Sequence, residues 1–375
     1  MTRISMTAAA AVLVAFSGVA AAQQAGDIVF TTQTGGVFWL PQGGSAVQLA
    51  QINEPNVRLA DLAFGPSGAL FVNNGPQPVG DPSLSNIYRI QDPFGAANVS
   101  VFASSGNIQN PIGLVYDRPT NNMIAVMNPG TNQPRPDPSF LGLLGVNATT
   151  GATAVVYQQQ PAGTTFPYYN RGAYISAVPG QSGTYVSAAV QGSAFDYNGV
   201  PPQTRASSLH RFTMNGMIAT EELIVDLGDT SVTGFSRSIG RVTGVTAVDA
   251  QTMFISSVDY PGGAGTGIGS IFRVDLDLNG DFLSVTDITT GNLPTGVNIF
   301  PEEIEYNKFT NTLFFADRIG NADGTASIYE LNLDGTGLNS VYVGFGVRGI
   351  AIIPTPAGVA LLALGGLVAA RRRRA

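Results

Sequence analysis

The sequence predicts an all-β fold, a six-bladed β-propeller over residues 27–353. A four-strand pattern recurs with a period of about 58 residues, which indicates a repeat architecture. The predicted domain also starts with three strands and finishes with one, so its two ends together would complete a blade. Glycine (46 residues) and proline (23 residues) are abundant, which is typical of short strands joined by turns. A pair of β-sandwiches is the alternative architecture.

Each repeat begins with an apolar strand that is followed, after a turn, by a second tight apolar run. In the clearest copy these are residues 59–64 and 70–72. Runs of about four to eight apolar or alternating residues, bounded by Gly, Pro, Asn and Asp, predict strands. The six predicted first strands are anchored near Phe64, Tyr116, Ala177, Val248, Tyr306 and Ile352.

The two ends of the predicted domain supply one blade between them. Residues 27–30, 37–40 and 46–49 are three predicted strands, and residues 348–353 match the first strand of the other repeats. Pairing of the last strand with the first three would give the sixth blade and close the ring. Closure removes the open sheet edges that would otherwise promote aggregation.

The last full repeat carries a short motif. Phe314-Phe315-Ala316-Asp317 is followed by a third strand and by Asn332-Leu333-Asp334-Gly335 at a predicted hairpin turn. This segment resembles a blade of the YWTD or NHL-like propellers, because the first motif stands where the YWTD family has Tyr-Trp-Thr-Asp. The resemblance covers about 40 residues, the size of one blade. It implies six blades and, in general, a ligand-binding rather than catalytic scaffold.

Residues 1–22 have the features of a secretory signal peptide. Arg3 precedes an apolar stretch over residues 8–19, and the three alanines of residues 20–22 form an A-x-A-like cleavage site. The apolar stretch is short for a membrane span, which needs about 20 residues. We therefore expect cleavage near Ala22 and export through the inner membrane, with a retained membrane anchor as the alternative.

Residues 354–375 form a C-terminal sorting or anchor segment. Pro354-Thr355-Pro356 leads into an apolar run of 14 residues, 357–370, and the run is followed by Arg371, Arg372, Arg373 and Arg374. The arrangement resembles the PEP-CTERM sorting signal of Gram-negative bacteria, with Thr355 where that family has Glu. The resemblance implies an exosortase-type protease as partner, transient or retained membrane insertion through a short helix, and release or transfer to the cell envelope. A plain C-terminal anchor is the alternative.

Composition excludes several kinds of site. The absence of cysteine excludes disulfides, thiolate nucleophiles and cysteine-ligated zinc. The one lysine, Lys308, follows Asn307, which excludes a Gly-Lys-Ser/Thr phosphate loop. His210 is the one histidine and no G-x-S-x-G elbow occurs, which disfavours a Ser-His-Asp hydrolase. Without Arg3 and the four tail arginines, 13 basic residues stand against 25 acidic ones, which argues against nucleic acid as a partner.

The start of each first strand is the predicted place for a ligand. In a propeller these strands line the central channel, and their starting ends share one face with the loops between second and third strands. Those loops are long here, which marks a binding face or tolerated surface loops. Six charged residues are predicted to converge at this channel mouth: Arg58, Arg171, Arg241, Arg348, Glu302 and Glu303. Because guanidinium groups suit carboxylate and sulfate, the arginines predict an anion site, the alternative being that each pairs with a nearby carboxylate or carbonyl.

A second, weaker candidate is a calcium loop. Asp275, Asp277, Asn279 and Asp281 supply oxygens at alternate positions, as a hard cation requires. However, Thr286 stands where an EF-hand needs its glutamate, and Asn-Gly between two strands is a hairpin signal. A turn is therefore the main expectation, calcium is the alternative, and no other cofactor is expected. Three other carboxylates are expected to cap turns at strand ends: Asp61, Asp117 and Asp317.

The sequence favours a non-enzymatic binding module of the cell envelope, or one secreted after C-terminal processing. Extracellular polysaccharide or another surface protein is the expected ligand. The alternative is a propeller enzyme of the metal-dependent lactonase or sugar-dehydrogenase kind, which needs a metal or quinone held in the channel. A third possibility is a purely structural surface component. The pair Glu302-Glu303 is the clearest acidic feature at the start of a first strand.

Overall fold

The computed structural model describes residues 23–54, 57–75, 85–104, 108, 110–127, 142–158, 172–191, 206–258, 260, 268–317 and 325–354. The signal peptide and residues 355–375 lie outside this part of the chain, as do most of the long loops between second and third strands. In the described part, no helix is both long and apolar enough to span a bilayer.

Twenty-four strands are described, and each sheet contains four of them. The first twelve are β1 (Ile28–Thr32), β2 (Gly36–Leu40), β3 (Val47–Gln51), β4 (Leu59–Phe64), β5 (Leu70–Asn74), β6 (Asn86–Gln91), β7 (Asn98–Ser104), β8 (Pro111–Asp117), β9 (Asn122–Met127), β10 (Gly142–Asn147), β11 (Thr153–Gln158) and β12 (Gly172–Ala177). The others are β13 (Thr184–Gln191), β14 (Ala206–Asn215), β15 (Ile218–Asp226), β16 (Val242–Ala247), β17 (Thr252–Ser257), β18 (Ser270–Leu276), β19 (Phe282–Asp287), β20 (Pro301–Asn307), β21 (Thr312–Asp317), β22 (Thr325–Asn332), β23 (Asn339–Phe345) and β24 (Val347–Ile352). A short 3-10 helix, Pro66–Gly68, follows β4, and a single helical turn, α1 (Thr230–Thr233), follows β15.

The six-bladed propeller is confirmed, and so is its closure. Five blades use four consecutive strands each, beginning at β4, β8, β12, β16 and β20, and the sixth has the order β24-β1-β2-β3. In that blade Phe30 lies opposite Ile350. The Ile353 N–H donates to the carbonyl of Asp27 at 2.7 Å, and the Gly26 N–H donates to the carbonyl of Ile353 at 3.1 Å. The ends of the domain are therefore held by a continuous backbone ladder.

The innermost strands form the wall of the channel. Each of β4, β8, β12, β16, β20 and β24 packs against its neighbours in this cyclic order. We call the end where these strands begin the upper rim, and the end where they finish the lower face. Since the strands of every blade are antiparallel, the second-to-third loops belong to the upper rim and the first-to-second turns belong to the lower face.

Apolar side chains fill the spaces between adjacent blades. Phe30 and Ile350 pack with Phe314 of the neighbouring blade, and Phe315 packs with Phe254 of the blade before it. Burying side chains of this size stabilises the fold by about 1.5–3 kcal/mol each. The strand prediction is accurate to a residue or two: β16 ends just before Val248, and β3 begins just after Ala46.

Candidate functional site: the upper channel

All six innermost strands carry a register irregularity at the same place, one to three residues after they begin. It lies between Leu59 and Leu62, Pro111 and Gly113, Gly172 and Ile175, Val242 and Gly244, Pro301 and Glu303, and opposite Val347–Ile350 in the closing blade. A β-bulge bends a strand and re-aims its side chains. The irregularities therefore set the direction of the side chains at the upper end of the channel.

Aligned on these irregularities, the third residues of the six strands alternate between large polar side chains and glycine. In ring order they are Asp61, Gly113, Tyr174, Gly244, Glu303 and Gly349. The glycines are sites of close approach. A Cβ on Gly349 would lie 2.4 Å from the Ala60 carbonyl oxygen, and one on Gly244 would lie 2.8 Å from the Ile304 nitrogen. Because backbone atoms occupy that space, no larger residue fits without a backbone shift, and alternate strands supply the side chains that fill the channel.

Asp61 and Glu303 meet across the strand that lies between them in the ring. Asp61 accepts hydrogen bonds from the backbone N–H groups of Leu62 and Leu114, both at 2.6 Å. Glu303 accepts one from the Ile350 N–H at 2.7 Å, and its carboxyl lies within hydrogen-bonding reach of the Asp61 carboxyl. These bonds tie β4 to β8 and β20 to β24 through side chains.

The environment of these two carboxyls favours their protonated forms. Burial raises the pKa of Asp61 above its ordinary value, although hydrogen bonds from Glu303 and from two backbone N–H groups act in the opposite direction. Burial, followed by the charge of Asp61, raises the pKa of Glu303 well above its ordinary value. Two carboxyls in hydrogen-bonding reach cannot both ionise at low cost, so the pair holds a proton between them.

Glu305 forms the next layer of the channel towards the lower face. The Thr246 hydroxyl donates to its Oε2 at 3.5 Å and accepts a hydrogen bond from the Tyr306 N–H at 3.1 Å. Burial, followed by the charge of Asp61, raises the pKa of Glu305 to about 8. At neutral pH this carboxyl is therefore mostly protonated, and it can donate as well as accept.

Arg348 is held by an ion pair. Its Nη1 donates to Oε1 of Glu302 from the neighbouring blade, and both side chains are buried. With the amide of Gln33 turned so that its oxygen faces the guanidinium, that oxygen accepts from both Nη2 and Nε of Arg348 at 2.9 Å. The positive charge is thus offset inside the channel.

Tyr174 completes the site on the opposite side of the ring. Its pKa is raised well above its ordinary value, mainly by burial and then by the nearby charges of Glu303, Glu302 and Asp61. The phenol is therefore neutral at any physiological pH. Tyr174, Glu302 and Arg348 keep 6%, 8% and 7% of their surface exposed, whereas Asp61 and Glu303 keep 3% and 2%. We call these three slightly more exposed side chains the polar floor of the upper channel.

The structure brings together three of the six residues predicted for the channel mouth: Arg348, Glu302 and Glu303. Arg58 is exposed and Arg241 is half-buried with a positive φ of 41°. Each of these two arginines is the residue directly before its innermost strand, and so precedes the irregularity. Arg171 lies outside the described residues. The shared anion site stays a prediction, and the guanidinium of Arg348 is engaged by the chain's own carboxylate.

Three members of the site are absent from the predicted set: Asp61, Tyr174 and Glu305. Asp61 was expected to cap a turn, and that expectation is wrong because its carboxylate bridges two innermost strands. Asp117 does cap a turn, since it accepts from the N–H of Thr120 at 3.3 Å. Aligning the first strands residue by residue would have revealed the alternation of large polar residues with glycine.

The sole histidine lies away from the channel, between the third and fourth strands of its blade. His210 contacts the Ser208 hydroxyl through Nε2 at 2.6 Å and the Glu221 carboxylate through Nδ1 at 2.5 Å. The Tyr157 hydroxyl of the preceding blade donates to the same carboxylate at 3.2 Å. Ser208 and His210 are completely buried, so this row of hydrogen bonds connects two blades.

The candidate calcium residues form a hairpin turn between β18 and β19. Asp277 accepts backbone hydrogen bonds from Asn279 at 2.8 Å and from Asp281 at 2.9 Å, and Asp275 pairs with Arg273. Within the described ranges, no group of three or more His, Cys, Asp or Glu residues is arranged to hold a metal ion. The Asp277 carboxylate is engaged in shaping the turn and the Asp275 carboxylate in an ion pair, and calcium binding stays a prediction.

The predicted sorting signal falls almost wholly outside the described residues. Pro354, the first residue after the closing segment, is exposed on the lower face. Pro356, Arg371, Arg372, Arg373 and Arg374 lie beyond it, so their role stays a prediction from the sequence.

No family model and no curated protein matches the chain. Among solved structures, a protein assigned as TolB from Agrobacterium tumefaciens has a TM-score of 0.51 at 10% identity, and the match covers 89% of this chain and 100% of that one. The periplasmic gluconolactonase of Pseudomonas aeruginosa has a TM-score of 0.50 at 12% identity, with 88% and 99% covered. Identities this low show the fold alone. The chain is therefore a six-bladed β-propeller similar in structure to TolB and lactonase propellers, and a periplasmic protein is among its structural neighbours.

Proposed function

We propose that this chain is an exported β-propeller that binds a hydroxyl-rich saccharide, such as a segment of extracellular polysaccharide, at its upper rim. The binding role is non-enzymatic. The N-terminal signal peptide delivers the chain across the inner membrane, and the C-terminal segment is recognised by an exosortase-type protease. The periplasmic location of one structural neighbour is consistent with export.

The polar floor of the upper channel is the observation that carries the ligand class. Arg348 and Glu302 offset each other's charge, and Tyr174 is neutral, so the floor presents hydrogen-bond donors and acceptors with little net charge. Such a surface suits hydroxyl groups, which donate and accept, better than it suits a free anion. A few polar groups on a rigid scaffold are the usual means of fixing a ligand's orientation.

The substitution Tyr174→Phe tests the ligand assignment because it removes one hydroxyl and keeps the ring. We expect saccharide affinity, measured by calorimetric titration, to fall about tenfold, the scale of one lost hydrogen bond of about 1.4 kcal/mol. Tyr306→Phe is the matched control, since the Tyr306 hydroxyl is bonded to Asn311 at the lower face. Equal affinity of the two variants would contradict the proposed site.

Export and processing are tested separately. The intact mass of the protein recovered from its native envelope shows whether residues 1–22 and the segment after Pro356 are present. Loss of residues 1–22 is the expected result, and retention of the signal peptide would contradict export by cleavage. The same mass shows whether the C-terminal segment is kept as a membrane anchor or removed after recognition by the protease. The enzymatic alternative requires a metal or quinone in the channel, and stoichiometric metal in the purified protein would favour it over the binding role.

A further inference from the structure

Both ends of the described chain leave the propeller from the lower face. The N-terminal segment pairs with Ile353, and the Asn307 amide donates to the Gly26 carbonyl at 2.9 Å. Pro354 follows directly and is exposed. The polar floor lies at the opposite end of the same strands, at Glu302 and Arg348. Any structure to which the C-terminal segment attaches is therefore on the side away from the proposed ligand site.

The tether between the propeller and the apolar run is very short. Three residues, 354–356, separate the closing segment from the run of 14 apolar residues over 357–370. A fully extended chain spans about 3.5 Å per residue, so the tether reaches about 10 Å. The run is followed by four arginines, and an apolar stretch with a basic flank favours a lipid interface. Insertion of this run would hold the lower face within about 10 Å of the lipid headgroups, which is the reach of the tether.

The lower face presents exposed apolar side chains at the tips of its turns. Leu278 is 91% exposed in the β18–β19 turn, Ile218 is 70% exposed after the β14–β15 turn, and Phe309 is 40% exposed in the β20–β21 turn. Asp277 fixes the first of these turns by its backbone hydrogen bonds. Phe309 lies beside Gly26, next to the place where the chain ends leave the domain. These apolar tips lie on the lower face, from which the tether leaves, so the short tether would hold them against the lipid.

We propose that the lower face of the propeller rests on a lipid bilayer through these apolar tips, so that the upper rim points away from the membrane. The inference rests on the export given in the proposed function, and it concerns the chain that still carries its C-terminal segment. The turns of this face carry more acid than base: Asp92, Asp249, Asp277, Asp281 and Asp334 against Arg118 and Lys308. Because an acidic face is repelled by anionic lipid, we expect the lower face to rest on a zwitterionic bilayer.

Single-cysteine labelling of the mature chain, residues 23–375, tests this orientation. The chain has no cysteine of its own, so each variant carries one label. Leu278→Cys and Phe309→Cys report on the lower face. Val232→Cys, 47% exposed in α1 on the upper side, is the matched control. Each variant carries an environment-sensitive dye and is mixed with phosphatidylcholine vesicles that contain a lipid-borne quencher.

The expected result is flotation of all three variants with the vesicles, with quenching at positions 278 and 309 at least about twice that at 232. Flotation with equal quenching at all three positions, or with stronger quenching at 232, would overturn the orientation while leaving tail insertion intact. Absence of flotation would overturn tail insertion and the orientation together. Saccharide binding is measured independently with the Tyr174 variant, so failure of the orientation and failure of the ligand assignment are distinguishable.

Discussion

Replacing Glu305 by glutamine is expected to stabilise the protein at alkaline pH and to have little effect at pH 5. In the folded chain the pKa of this carboxyl is raised from 4.5 to about 8, mainly by burial. Between those two values the folded state binds more protons than the unfolded state, so stability falls as pH rises through this window. Glutamine mimics the protonated acid, and its side-chain oxygen can still accept from the Thr246 hydroxyl.

The magnitude follows from the size of the shift. At about 1.36 kcal/mol per pKa unit, the full difference would destabilise the native protein by about 5 kcal/mol above pH 8. Glu305 keeps partial contact with solvent, which screens its charge, so we expect glutamine to recover about 1–3 kcal/mol at pH 9. For a domain of this size that gain corresponds to a rise in Tm of about 2–8 °C.

Thermal unfolding followed by circular dichroism at pH 5, 7 and 9 measures the effect. Asp281→Asn is the matched control, because it is also an isosteric acid-to-amide change but lies in an exposed turn. The control is expected to change Tm by less than about 2 °C at each pH. An equal change in Tm at pH 5 and pH 9 for the Glu305 variant, or a loss of stability at pH 9, would refute the reasoning.

Three further outcomes are expected. Arg348→Met removes the cation beside the buried Glu302 carboxylate and should destabilise the protein by about 3–5 kcal/mol in urea unfolding. Changing Glu302 to Gln in the same chain should restore part of that stability. Full stability of the single variant would contradict the role of the ion pair. Ile350→Ala creates a cavity in the closing strand and should cost about 2–5 kcal/mol, whereas Leu278→Ala at an exposed tip should cost less than about 0.5 kcal/mol; similar losses would argue against closure by that strand. Asp277→Ala should lower the Tm slightly through its lost turn hydrogen bonds, and calcium should leave the Tm of the native chain unchanged. A calcium-dependent rise in Tm that the substitution abolishes would show a metal site instead.

Closure of the ring could be predicted because each strand is a local pattern. Apolar runs bounded by turn residues indicate strands wherever they occur. Three strands at one end of the domain and one at the other complete a four-stranded blade only if the last strand pairs with the first three. The confirmed partners Phe30 and Ile350 are separated by almost the whole domain, yet the prediction needed no knowledge of the sequence between them. The hydrogen-bonding demands of an open edge supplied the physical reason.

The composition of the channel site could not be predicted in the same way. Arg58 and Arg348 look equivalent in the sequence, but the strand irregularity places one on the exposed rim and the other in a buried ion pair with Glu302. A one-residue difference in register reverses the direction in which a side chain points. The position of the strand irregularity could not be read from the sequence, so the direction of these side chains could not be predicted.

The sequence by itself determined the number of blades and their closure, because these depend on local periodicity and composition. The two terminal targeting segments stay predictions from the sequence. The tertiary structure alone decided that Asp61 and Glu303, which are 242 positions apart, share one proton-holding pair, and that Tyr174 stands with them at the axis. Their meeting depends on the curvature of the whole ring and on the space left by Gly349 between two strands. Side-chain chemistry at the axis is thus a property of the assembled toroid.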